Sequence, residues 1–150
     1  MNFDRNMDLM KQAKTKTIQY TPCGLDYVYL LKAPIAYTKE GEEFIDMPVG
    51  DIEKAIARAL IISGVPLYGR EVRFLRKALK LPRNEWAKKL GISAAGIFKW
   101  ENEPERRLSK VNEVAIRILC AERLGILLDC RWDILVPSDT HPKKLNVKAA

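Results

Sequence analysis

The stretch Leu81 to Asn102, LPRNEWAKKLGISAAGIFKWEN, constrains this chain more than any other. Trp86, Ala87 and Leu90 fall at i, i+1 and i+4, which lays one apolar stripe along a helix. Gly91 follows, and glycine adopts without strain the left-handed conformation that ends a helix. Ile92 is apolar, and the Ser93 hydroxyl is placed to cap a second helix. In that helix Ile97 and Trp100 share one face, leaving Ala94, Ala95, Phe98, Lys99 and Asn102 to point outward. Two short helices over a tight turn predict a helix-turn-helix unit, whose second helix fits a DNA major groove.

Charge points the same way. Between Leu67 and Lys110 stand 12 basic residues against 5 acidic ones, so the net +7 of the chain sits wholly on this segment and the remainder balances. A localised positive excess is what a module that neutralises phosphates needs. The plain alternative is a solvated helix surface.

These residues also carry a family resemblance. Leu81, Arg83, Glu85, Trp86-Ala87, Leu90-Gly91-Ile92-Ser93, Ile97 and Lys99-Trp100-Glu101-Asn102 resemble the Cro/repressor (XRE) helix-turn-helix pattern. The resemblance implies that Arg83 contacts a phosphate beside the groove, and that Ser93, Ala94 and Ala95 occupy the base-reading turn. It also implies that Arg76 pairs with Glu101, fixing how the helices cross. Lys99, one turn on, reaches a guanine edge or a phosphate, and Asn102, Arg106 and Arg107 follow as backbone contacts. Ala94 and Ala95 offer only methyl contacts, such as to thymine. Phe98 either touches a thymine methyl or packs on another part of the protein. Gly96 costs the helix about 1 kcal/mol against alanine. Modest direct readout, with DNA shape sharing the specificity, is the expectation.

Around this unit the chain divides into four stretches. Residues 1–19 read as a flexible arm, with Lys11, Lys14 and Lys16 as candidate phosphate contacts. Residues 20–66 read as a small α/β region, a candidate dimer or partner surface. Its strands are Tyr27–Leu31, bounded by Gly24 and Pro34, and Phe44–Met47, joined by a turn at Thr38–Gly41. Tyr27 and Tyr29 share one side of the first strand. Asp51 is the expected N-cap of a helix running to Ser63, with Ile52, Ala55, Ile56, Ala59 and Leu60 as its buried stripe.

Residues 67–128 form the expected DNA-binding domain. Val72, Leu75 and Leu79 build the core face of its first helix. Ser109 caps a last helix whose buried stripe is Val111, Val114, Ala115, Ile118 and Leu119. Residues 129–150 read as an apolar cluster around Trp132, Ile134, Leu135 and Val136, then a polar, disordered tail. The fold expected is mainly α: an XRE-type helix-turn-helix bundle of about five helices, preceded by a small N-terminal β-hairpin plus helix.

A second resemblance spans more of the chain. A YVYLL strand, an Ile-Glu-Lys-Ala-Ile-Ala helix and GREVRFLRKALKLPRNEWAKKLG together are similar to antitoxins and regulators of the MqsA type. That resemblance implies autorepression and a protein toxin as partner. The N-terminal cysteine pairs that hold zinc in that group are missing here, with only Cys23 in that region.

Other classes are excluded by what the chain lacks. Cys23, Cys120 and Cys130 are odd in number and widely spaced, so neither a disulfide framework nor a zinc half-site is expected. No Ser-His-Asp set or phosphate loop is present, and His141 is the single histidine, so no catalysis and no cofactor are expected. No apolar run reaches the roughly 18 residues of a membrane span. The opening MNFDRNMDLMKQAK has no apolar signal core, so a cytoplasmic location is expected. The function expected is a sequence-specific transcriptional repressor, autoregulatory, binding a palindromic operator as a homodimer; the alternative is an antitoxin that also neutralises a protein toxin.

Overall fold

A ten-residue strand organises the structure, a computed structural model that describes residues 14–149. This strand, β2 (Val28–Tyr37), pairs along one edge with β1 (Thr15–Gln19), antiparallel. Its other edge is shared: β4 (Leu145–Lys148) runs parallel to Val28–Leu31, and β3 (Glu43–Ile45) runs antiparallel to Ile35–Tyr37. Six helices complete the described residues: α1 (Val49–Ile62), α2 (Gly69–Ala78), α3 (Arg83–Leu90), α4 (Ala94–Glu101), α5 (Lys110–Leu124) and α6 (Trp132–Leu135).

The expectation of a mainly-α bundle of about five helices behind a small hairpin is therefore overturned. The described residues form a mixed four-stranded sheet with six helices, 43% helix and 18% strand. Three local signals were misleading. Thr15–Gln19 lies in the stretch read as a flexible arm, because its residues are mostly exposed and show no alternation; Met1–Ala13, including Lys11, lie outside the described residues. The tail read as disordered contains β4, whose Leu145 and Val147, with Ala149 beyond them, are buried in the core. Four residues with a parallel partner at the far end of the chain leave little trace in local pattern.

The third signal is Pro34, read as a strand boundary although β2 runs through it. The Pro34 carbonyl accepts from Asp46 N (2.8 Å), so the side of β2 lacking a proline N–H faces the point where β4 has ended and β3 begins. Only the reciprocal bond to Asp46 is lost there, at the gap between two short partners, which is where proline is tolerated in a sheet. A bulge keeps the strand's inward face continuous. Lys16 pairs with Ala33 but Ile18 pairs with Leu30, so β2 holds one extra residue, and Lys32 takes φ +52° within it. Val28 and Leu30 before the bulge, and Ala33 and Ile35 after it, all reach the core.

α1 lies against β4 on one side and against α2 and α5 on the other. Ile52, Ile56, Ala57, Leu60 and Ile61 are its buried face. It starts three residues earlier than expected, with Pro48 rather than Asp51 at the N-cap; Asp51 sits in the first turn, where a carboxylate suits the helix dipole. Tyr27 and Tyr29 are packing residues, the first against His141 (centroids 5.6 Å apart) and the second beneath the Lys144 ammonium (4.9 Å). No described helix is long and apolar enough to cross a membrane.

α5 is rotated relative to expectation. Its buried residues are Glu113, Ile116, Arg117, Cys120 and Ala121, whereas Val111 is 75% and Ile118 44% exposed, and the helix ends at Leu124 with the left-handed Gly125 as its cap. The cause is a buried ion cluster. Glu113 accepts from Leu67 N (2.8 Å), Arg107 Nε (3.0 Å) and Arg117 Nη2 (3.3 Å). Arg117 also donates to the carbonyls of Val65 (2.8 Å) and Leu135 (3.1 Å). Desolvation lowers the Arg117 pKa, and the adjacent Glu113 carboxylate opposes that shift. Nη1 of Arg117 is buried without a partner among the described residues, but the Glu113 charge and the two carbonyls let the guanidinium lie inside, and the apolar stripe then faces outward.

Candidate nucleic-acid interface

α3 and α4 meet over Gly91, which is left-handed (φ +68°), and Ile92 N returns to the Ala87 carbonyl (3.0 Å). Ser93 caps α4, its hydroxyl accepting from Gly96 N (3.0 Å). Beneath the turn Trp86, Ala87, Leu81 and Ile97 are buried in the common core. The glycine turn, the serine cap and the apolar stripe thus fall where the residue pattern places them.

The base of the unit is held by one carboxylate. Glu101, 2% exposed at its side chain, accepts from Arg76 Nε (2.5 Å) through Oε1 and from Arg83 Nε (2.6 Å) through Oε2. The Arg76 pairing is the one the resemblance implies. The Arg83 bond is additional, and it ties the start of α3 to the end of α4. Three helices thereby converge on Glu101, and such an ion cluster fixes geometry more than it adds net stability.

Arg83 is further constrained by Phe98, whose ring centroid lies 5.0 Å from the guanidinium carbon. Phe98 is 50% exposed, so it packs against the protein and faces outward at once. Arg83, Asn84, Ala94, Ala95 and Phe98 line one outward groove between α3 and α4. Lys99 and Asn102 are exposed further along α4, and the Ser93 hydroxyl is engaged in its cap.

The two residues beyond α4 differ. Arg106 is exposed and pairs with Glu103 (2.9 Å). Arg107, expected as a backbone contact, is turned inward: its side chain is 17% exposed and engages Glu113, Asp139 and the Pro137 carbonyl. Its guanidinium nitrogens all serve the protein's own carboxylates and a backbone carbonyl, which removes it from the outward face. The sequence reading overlooked Asn84 in the α3–α4 groove, and Arg73 and Lys77, which line a cleft with Asn102, Pro22 and Cys23. The signal for the last two was present, since Arg73 and Lys77 stand four apart on the outer face of α2.

The three cysteines are free: Cys23 is half-buried, Cys120 buried and Cys130 exposed. Burial pushes the Cys120 thiol up to about 12, as suits a packing residue. Elsewhere, Glu71 accepts from Tyr68 N (3.2 Å) and lies 2.7 Å from His141 Nε2, joining the start of α2 to the segment that leads into β4. Burial raises the Glu71 pKa, against the pull of His141, the Tyr68 amide and Arg70. Comparison with protein-family models, curated proteins and solved structures found no match to the chain.

Proposed function

We propose that the protein is a sequence-specific, double-stranded-DNA-binding transcriptional regulator, a cytoplasmic repressor of its own gene, with α4 as its recognition helix. The observation that carries this reading is the α3–Gly91–α4 unit. It is braced underneath by Glu101 and open on the outside, in the segment that bears the chain's whole positive excess. Exposed Lys99, Asn102 and Arg106 supply backbone contacts, while Ala94, Ala95 and Phe98 face the bases.

A single unit of this size binds weakly, so the reading includes a homodimer whose recognition helices lie ~34 Å apart on a palindrome. The outward apolar stripe of α5, centred on Val111 and Ile118, supports a second copy as its cover.

The test is binding to DNA upstream of the protein's own gene at two salt concentrations, comparing wild type with Lys99→Ala and Asn102→Ala. Tight, salt-sensitive binding is expected, with the salt slope reduced by about one when a phosphate-contacting lysine is removed. Binding no better than to random DNA would overturn the reading and shift attention to a protein partner.

A further inference from the structure

Arg83 is an unusual groove-side arginine because one end of its guanidinium is already engaged. Nε donates to Glu101 Oε2 (2.6 Å), and the guanidinium carbon lies over the Phe98 ring, 5.0 Å from its centroid. Nη1 and Nη2 form no hydrogen bond with any described residue, and the side chain is 38% exposed, within the groove lined by Ala94, Ala95 and Phe98. The clamped nitrogen and the stacked face remove most of the rotamer freedom that binding would otherwise have to freeze out. What remains is a fork of two donors without a described partner, in a groove shared with Asn84 and three apolar side chains.

We propose that Arg83, Phe98, Ala94 and Ala95 form a reading head for one major-groove step: a pyrimidine carrying a C5-methyl group, followed on its 3′ side by guanine. This rests on the DNA-binding reading above and names the substrate feature the recognition surface selects. A fork that donates to guanine O6 and N7 lies in the plane of that base. One of its faces then looks along the stack toward the preceding base, whose C5 position borders the same groove. In this protein Phe98 covers the opposite face, so a methyl group completes the sandwich. Ala94 and Ala95 add apolar surface and carry no side-chain donor or acceptor that would select a different base edge. Thymine and 5-methylcytosine share this methyl group, so TpG and methylated CpG both satisfy the head.

The test uses a site selected from a random-sequence library, with the DNA altered atom by atom and the protein left intact. Replacing each dT in turn with dU deletes a methyl group and leaves the base pairing unchanged. At the read position affinity should fall about fourfold, the equivalent of one buried methyl group. At that position dC should bind weakly and 5-methyl-dC should restore binding, whereas a requirement for thymine alone would narrow the head to TpG. Placing 7-deaza-dG at the adjacent guanine removes N7 and should cost about tenfold.

Arg83→Lys keeps the charge but loses the fork, so preference for the step should disappear while non-specific binding persists. Its melting temperature verifies that the fold survives. Specific binding indifferent to every methyl group, or an Arg83→Lys protein that keeps its preference, would overturn the head and leave the DNA-binding reading standing. Failure to select any sequence would overturn both.

Discussion

Gly69, the first residue of α2, is pressed so closely against the loop after α4 that a Cβ on it would lie 2.0 Å from the Trp100 carbonyl oxygen and 2.4 Å from that of Glu103. Gly69 N donates to Arg106 O (3.0 Å), so the start of α2 is docked on the exit of α4. Gly69→Ala therefore cannot be absorbed by moving a side chain. It should destabilise the protein by about 2 kcal/mol or more, as forced overpacking does. Urea unfolding checks this, and an unchanged midpoint would mean the loop is free to move away.

Glu101→Gln keeps the shape of the side chain and removes the charge that Arg76 and Arg83 share. Because the carboxylate is buried, the expected cost is about 3 kcal/mol. Denaturant unfolding measures it, and a loss below about 0.5 kcal/mol would show that the three helices do not depend on the cluster.

Glu71 should give stability a pH dependence of unusual sign. Burial raises its folded pKa above the ordinary carboxylate value, so in the intervening range the native state binds more protons than the unfolded chain. This residue's contribution is then most favourable below about pH 4.3 and declines as pH rises from there through the raised value. Glu71→Gln removes the decline. The stability of wild type relative to that variant should fall with increasing pH over this window, and a difference that rises with pH would contradict the assignment.

Val147 is 2% exposed in β4, so Val147→Asp should unfold or severely destabilise the whole protein, by about 3 kcal/mol or more. A disordered tail would tolerate the change. Circular dichroism with limited proteolysis distinguishes the two.

Ile118→Glu tests the outer face of α5. The position is 44% exposed, so the monomer's melting should barely change, whereas the proposed homodimer should dissociate. Sedimentation velocity reads the outcome, and an unchanged dimer would place the interface elsewhere.

What was legible in the sequence was local. Gly91, Ser93, and the spacing of Trp86, Ala87 and Ile97 each state their own backbone need, and each lies where that need predicts. Partnerships across the chain were not legible. The apolar stripe of α5 is legible as a stripe but faces the other side, because the rule that charges face water fails where Glu113, Arg107 and Arg117 bond to one another and to four backbone groups. The same cluster withdrew Arg107 from the candidate contacts. In the sheet, a bulge at Lys32 and a proline between two edge partners hid the length of β2.

The parallel β2–β4 ladder joins Val28 to Leu145, more than a hundred residues apart, with every described helix enclosed between them. The equilibrium penalty of so long a closure is modest, since each doubling of loop length adds only about 0.6 kcal/mol. Its weight falls on kinetics, because distant pairings form slowly. The helices, rich in near-neighbour contacts, should gather first, and the sheet should seal afterwards like a clasp. Until it does, the face of α1 that β4 covers is open to water, and self-association of a half-made chain competes with completion.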